Sequence, residues 1–128
     1  MAGEGTELRT SLENAQTDRI LAPGAKTKGD TDVREDLVIF YLDDAADGAQ
    51  VGVCHGAEKA VFPKTAGLLI NAAQRVYWND GNKVATLNAA DRAIGWGQSR
   101  DDSLGVAGAA ADDDVWINFH QELESTTY

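Results

Sequence analysis

Residues 75–86, RVYWNDGNKVAT, carry the strongest local signal in the chain. β-Branched and aromatic residues flank Asp80-Gly81 on both sides, and Asp-Gly supplies the positive φ angles that a two-residue type I′ turn requires. The stretch therefore reads as a β-hairpin. In that register Asn79 pairs with Asn82, Trp78 with Lys83, Tyr77 with Val84 and Val76 with Ala85. Tyr77 and Val84 then share one face. Trp78 and Lys83 share the other, where the lysine stem would lie over the indole for a cation–π gain of about 0.5 to 1 kcal/mol.

Outward from the hairpin, short apolar segments alternate with Gly, Asp, Asn and Pro clusters, and none sustains a helical period, which predicts an all-β domain. Arg19–Leu21 reads as a strand ended by Ala22-Pro23-Gly24, and Leu37–Leu42 as a buried strand ended by Asp43-Asp44. Gln50–His55 alternates, with Val51, Val53 and His55 on one face and Gln50, Gly52 and Cys54 on the other. In Ala93–Gln98, Ile94, Trp96 and Gln98 fall on one face and Ala93, Gly95 and Gly97 on the other; glycines inside a strand suggest a bulge or a close backbone approach. Asp114–His120 directs Val115, Ile117 and Phe119 to the core and Trp116, Asn118 and His120 away from it. An outward tryptophan fits a subunit interface or a second buried layer.

The fold expected is a small single-domain β-barrel or sandwich, with a flexible N-terminal arm (1–16), a β-domain (17–120) and a C-terminal tail (121–128). The arm has little apolar content to offset ordering entropy. Leu8, Leu12 and Ala15 nevertheless stand at helical spacing, so the arm is either a frayed end or a segment that orders on a neighbouring subunit. Between the last two strands, Ser99–Asp113 forms a long loop, and loops of that length are usually functional or disordered.

With 128 residues, one domain with a real core is expected. The 21 acidic and 11 basic residues give a formal net charge of −10, which repels phosphate backbones and anionic lipid surfaces. No nucleic-acid or membrane partner is therefore expected. The N-terminal stretch lacks the apolar run of a secretory signal, the six-residue run Leu37–Leu42 is far too short to cross a bilayer, and the single cysteine, Cys54, cannot form an internal bridge.

Chemical motifs fail one by one. A P-loop needs glycines where this chain has Ile20 and Ala25 ahead of Lys26-Thr27. A calcium loop begun at Asp43 has Gly48 in place but Ala45 and Cys54 at ligand positions. The Asp112–Asp114 run reads as a charged rim. Cys54 and His55 are neighbours in one strand and point to opposite faces, so neither can activate the other. Two histidines and one cysteine, scattered, are too few for tetrahedral zinc. No catalytic residue, metal or cofactor is expected, and the chain is read as a binding protein rather than an enzyme.

Five blocks stand in a telling order: Val51-Gly52-Val53, Val61-Phe62-Pro63-Lys64, Ala72 through Asp80 with Val76-Tyr77-Trp78 at its centre, Ala93-Ile94-Gly95-Trp96 and Val115-Trp116-Ile117. From Thr17 to Phe119 the chain resembles the capsid decoration, or cement, proteins of tailed phages, a family also labelled recombinase-like. Gln74 stands where that pattern has a glycine, and the Ser99–Asp113 loop and the N-terminal segment are longer. The resemblance implies a homotrimer on the outer surface of the virion, made in the host cytoplasm, that binds the major capsid protein and cements neighbouring subunits. Leu8, Leu12, Trp78, Trp96 and Trp116 are the expected interface residues. Two other readings stay open: a head-fibre or surface-display base, and, from a different class, an accessory factor of DNA metabolism.

Overall fold

The computed structural model describes residues 6–8 and 15–121, and every regular element among them is a strand. In chain order these are β1 (Glu7–Leu8), β2 (Ala15–Leu21), β3 (Thr31–Arg34), β4 (Leu37–Tyr41), β5 (Gln50–Pro63), β6 (Ile70–Asn71), β7 (Arg75–Asn79), β8 (Val84–Thr86), β9 (Arg92–Gly97), β10 (Val106–Gly108) and β11 (Asp114–Phe119). Nine of them form one antiparallel sheet in the order β3-β4-β5-β11-β9-β7-β8, with β1 and β2 also paired to β5; β10 and β6 form a separate pair.

The 14-residue β5 organises the sheet. Ala57 pairs with Ala15 on β2 and with Phe119 on β11, so β2 and β11 occupy opposite edges of β5. Cys54 likewise pairs with both Thr17 on β2 and Phe40 on β4. It follows that β4 and β11 share one edge of β5 end to end, and β1 and β2 share the other. The register slips on both edges close to Gly56, between Gln16 and Thr17 and between Ile117 and Phe119. Such bulges bend a strand and increase its twist, and here they let β4 and β11 diverge. The side chain of Gln121 fills the fork: its Oε1 accepts from Val38 N (2.8 Å), and its Nε2 donates to Val38 O (2.9 Å) and His55 O (3.0 Å).

Past the fork the sheet curls until β8 meets the end of β5. Lys64 and Ala85 form a parallel bridge, and Ala85 O accepts from Thr65 N (3.1 Å) and Thr65 Oγ1 (2.9 Å). Side chains hold β3 to this curl, with Lys83 Nζ donating to Thr31 O (3.0 Å) and Arg92 Nη1 to Asp36 O (3.0 Å).

The curl encloses an aromatic core. Phe62 lies 4.9 Å from Phe119, 5.4 Å from Trp78 and 5.9 Å from Phe40 between ring centroids, largely in the edge-to-face arrangements that aromatic quadrupoles favour. Val38, Val76, Ile94, Val115 and Ile117 complete its apolar wall. A second, smaller cluster lies on the other face of β4 and β5, where Ile39, Tyr41, Val51 and Val53 pack with Ala22. Strand β4 is thus buried on both faces, which is why Leu37–Leu42 is continuously apolar instead of alternating.

Several expectations are corrected. The hairpin forms, but Asn79 pairs with Val84, Trp78 with Ala85 and Tyr77 with Thr86, leaving a four-residue loop from Asp80 to Lys83. The positive φ falls on Lys83 (56°), not on Gly81, and Asn79 Oδ1 accepts from Asn82 N (3.0 Å) to shape the turn. Lys83 therefore stands in the turn, where its Nζ donates to Asp80 Oδ1 (2.8 Å) and to Thr31 O on β3 (3.0 Å). Ile94 and Trp96 do not share a face: a register slip opposite Val76 and Tyr77 inserts one residue, so Ile94 enters the core while Trp96 pairs with Asn118 on the outer side. Gly95 (φ 142°) makes this possible, since a Cβ there would lie 1.9 Å from Asn118 O.

The arm boundary at residue 16 falls inside β2, and Glu7–Leu8 pairs with Val61 and Ala60 of β5. In this structure Leu8 and Ala15 both lie in strands. Leu12 and the tail 122–128 lie outside the described residues.

Candidate interaction surface

The expected interface tryptophans separate into three environments. Trp78 is 2% exposed in the aromatic core, so it has no face left for a partner, and its assignment as an interface anchor is corrected. The four-residue loop sets this: the longer register places the indole opposite the small Ala85, over Phe62, while its Nε1 donates to Asp80 Oδ1 (3.2 Å). Trp96 is half-buried on the outer side of β9, 5.6 Å from the His120 ring, beside a shallow recess of about 250 Å³ that Gln16, Glu58 and Asn118 also line. Trp116 is 8% exposed on the outward side of β11. Lys59 Nζ lies 5.4 Å and Arg100 Cζ 5.3 Å from its ring centroid, so two cations cover the indole. Trp116 is thus covered within the chain by two cationic side chains. Leu8 sits on β1 opposite Ala60.

Arg100 connects Trp116 to the long loop. Its Nη1 donates to Asp114 Oδ1 (2.8 Å), and its Nε lies 3.7 Å from both Asp102 Oδ1 and Asp112 Oδ2. Burial pulls the guanidinium pKa down, but the Asp114 hydrogen bond and the surrounding carboxylates outweigh it and hold the charge more firmly than usual. The sequence showed a long acidic loop; its fixed shape depends on this one arginine, whose role no motif signals. Backbone bonds complete the shape: Arg100 N to Val106 O (2.9 Å), Val106 N to Ser103 O (3.0 Å), Ala72 N to Gly105 O (2.9 Å), with Ser99 Oγ accepting from Gly105 N (2.8 Å). Val106–Gly108, as β10, pairs with β6. The loop is therefore ordered from both ends.

Lys64, 4% exposed, lies beneath the same loop. Its Nζ donates to Thr65 O (3.1 Å), and a Cβ on Gly108 would come within 3.0 Å of its Cδ, so glycine there makes room for the lysine stem. Desolvation lowers its pKa, against the pull of Asp112, Asp113 and Asp114.

A second polar cluster occupies an open cleft of about 540 Å³ beside β3. Asp32 Oδ2 accepts from the Tyr41 hydroxyl (2.6 Å) and Lys26 Nζ (3.0 Å), and Lys83 Nζ lies 4.0 Å from Oδ1. Burial would raise the Asp32 pKa, but the Tyr41 and Lys26 hydrogen bonds and the two ammonium groups bring it below its ordinary value. Burial and the bond to Asp32 push the Tyr41 hydroxyl far up. A carboxylate held ionised beside a phenol held protonated is poor equipment for proton transfer near neutral pH, where a pKa close to the ambient value serves best. The cluster ties β3 and the 22–30 segment to the hairpin loop.

Cys54 is fully buried in the aromatic core, and burial pushes its thiol up to about 11, out of the reactive range. His55 lies on the opposite face, beside Val53 and Ile39. Among the described residues no group of three His, Cys, Asp or Glu side chains is arranged to hold a metal ion. The chain matches no family model, no curated protein and no solved structure.

Proposed function

We propose that this chain is a capsid decoration protein of a tailed phage, which binds the outer surface of the head as a homotrimer and cements neighbouring major capsid proteins. The observation that carries the reading is the placement of the sequence blocks that suggested it. Val51-Gly52-Val53 and Val61-Phe62-Pro63 lie on β5, Val115-Trp116-Ile117 on β11, Ile94-Gly95-Trp96 on β9 and Val76-Tyr77-Trp78 on β7. Those four strands are consecutive neighbours in the sheet, so the resemblance covers one physical body and not scattered fragments. A cementing role asks of such a body only a stiff core and a fixed outer surface, and the aromatic cluster and the arginine-pinned loop supply these. The net charge of −10 keeps it off packaged DNA.

Purified protein mixed with expanded, undecorated capsids should co-sediment with them saturably and should raise the temperature at which they rupture. Binding to DNA at physiological salt, with no capsid binding, would favour the DNA-metabolism reading and overturn this one.

A further inference from the structure

We infer that Leu104 is an anchor that inserts into an apolar socket with a lysine- or arginine-rich rim on another protein. This rests on the binding role proposed above and names the contact that would deliver it. Leu104 is 95% exposed, against 62% for Leu21 and 48% for Leu69. An isolated exposed leucine needs no explanation by itself. This one stands at the apex of a loop whose two sides are fixed by backbone bonds, and Gly105 beside it adopts a positive φ of 85°. The side chain is therefore presented in place before any partner arrives, which reduces the ordering entropy that association must overcome.

The surrounding charge identifies the partner. Residues 99–114 contain five aspartates and one arginine. Asp112 and Asp114 are engaged by Arg100, whereas the Asp101 and Asp102 side chains are each 81% exposed beside Leu104, with long contacts of 3.7 Å to Lys59 and Arg100 among the described residues. An apolar tip flanked by two exposed carboxylates is complementary to an apolar pocket with a basic rim. A second copy meeting loop to loop would bring like charges together, and nucleic acid or an anionic membrane would be repelled.

The test titrates expanded, undecorated capsids with the wild-type chain, Leu104→Ala, Leu104→Asp and the double variant Asp101→Lys/Asp102→Lys, at low and high salt. Both Leu104 variants should keep the wild-type thermal midpoint, because that side chain lies outside the core. The charge-reversed variant also loses contacts to Lys59 and Arg100, so it is titrated at a temperature well below its own measured midpoint. Leu104→Asp should weaken binding about tenfold or more and Leu104→Ala several-fold, in line with loss of a buried leucine. The charge-reversed variant should bind less tightly than wild type at low salt and approach it at high salt. Saturation by Leu104→Asp at the wild-type concentration would overturn the inference while leaving the decoration role standing. No capsid binding by wild type would remove the parent reading and this inference with it. Wild-type self-association lost in Leu104→Asp, or retention on phosphatidylcholine vesicles, would overturn it in favour of a self-contact or a lipid surface.

Discussion

The two faces of β4 and β5 support unlike cores. On the inner face Phe62 meets Phe40, Phe119 and Trp78, and Phe40 also meets Phe119; the four rings come from four strands, so each is fixed by residues far away in sequence. On the outer face Ile39, Tyr41, Val51 and Val53 pack with Ala22 and Ala45, and nearby Lys26 and Asp32 line an open cleft. One side is sealed by its own sheet and the other by short segments and a polar cluster. The interlocked rings therefore lie in the curled part of the sheet, which also carries the arginine-pinned loop.

The largest effect that would break this comparison is on the inner face. Phe62→Ala should destabilise by about 3 to 5 kcal/mol, while Ile39→Ala should fall near the low end for such truncations, about 2 kcal/mol, because its surroundings can collapse more easily. Denaturant unfolding of both variants checks this, and equal losses would erase the distinction. Next in size comes the fork. Gln121→Ala strands the Val38 and His55 backbone groups and should remove about 1 to 3 kcal/mol, with hydrogen exchange quickening at Val38 before the β9 and β11 amides respond.

The smallest effect concerns the outer polar cluster. Asp32 has a lowered pKa in the folded chain, so its stabilisation is present above the ordinary value of 3.8 and fades as pH falls through the lower folded value. Asp32→Asn should lower the thermal midpoint modestly at neutral pH, and the gap to wild type should close under acid. A gap that held constant with pH would assign the cluster a purely steric role.

Much of the fold was legible because period-two patterning reports burial on one face. Val115, Ile117 and Phe119 were readable as inward, the strand end at Leu21 followed from the Pro and Gly after it, and the end expected at Leu42 from Asp43-Asp44 falls one residue earlier, at Tyr41. Legibility failed where a backbone irregularity reset the alternation. The bulge at Gly95 separated Ile94 from Trp96, and the four-residue loop at Asp80–Lys83 moved Trp78 opposite Ala85. The second half of β5 was hidden because Gly56, Glu58 and Lys59 interrupt its apolar pattern, although β11 and β1 pair along it. Of the candidate surface, the acidic loop was visible as composition. Its shape was not, since Arg100 holds residues 2, 12 and 14 positions away and lies over an indole on another strand. Gln121 shows the same limit: nothing local marks a glutamine that bonds to residues 66 and 83 positions earlier.

The most direct test of a binding role for this domain is a cryo-EM reconstruction of expanded capsids saturated with the protein. The account predicts added density of this curled-sheet shape, in threefold clusters on the outer shell surface, with the Leu104 loop against a basic-rimmed hollow of the major capsid protein. A shell indistinguishable from the undecorated one at saturating protein would contradict it.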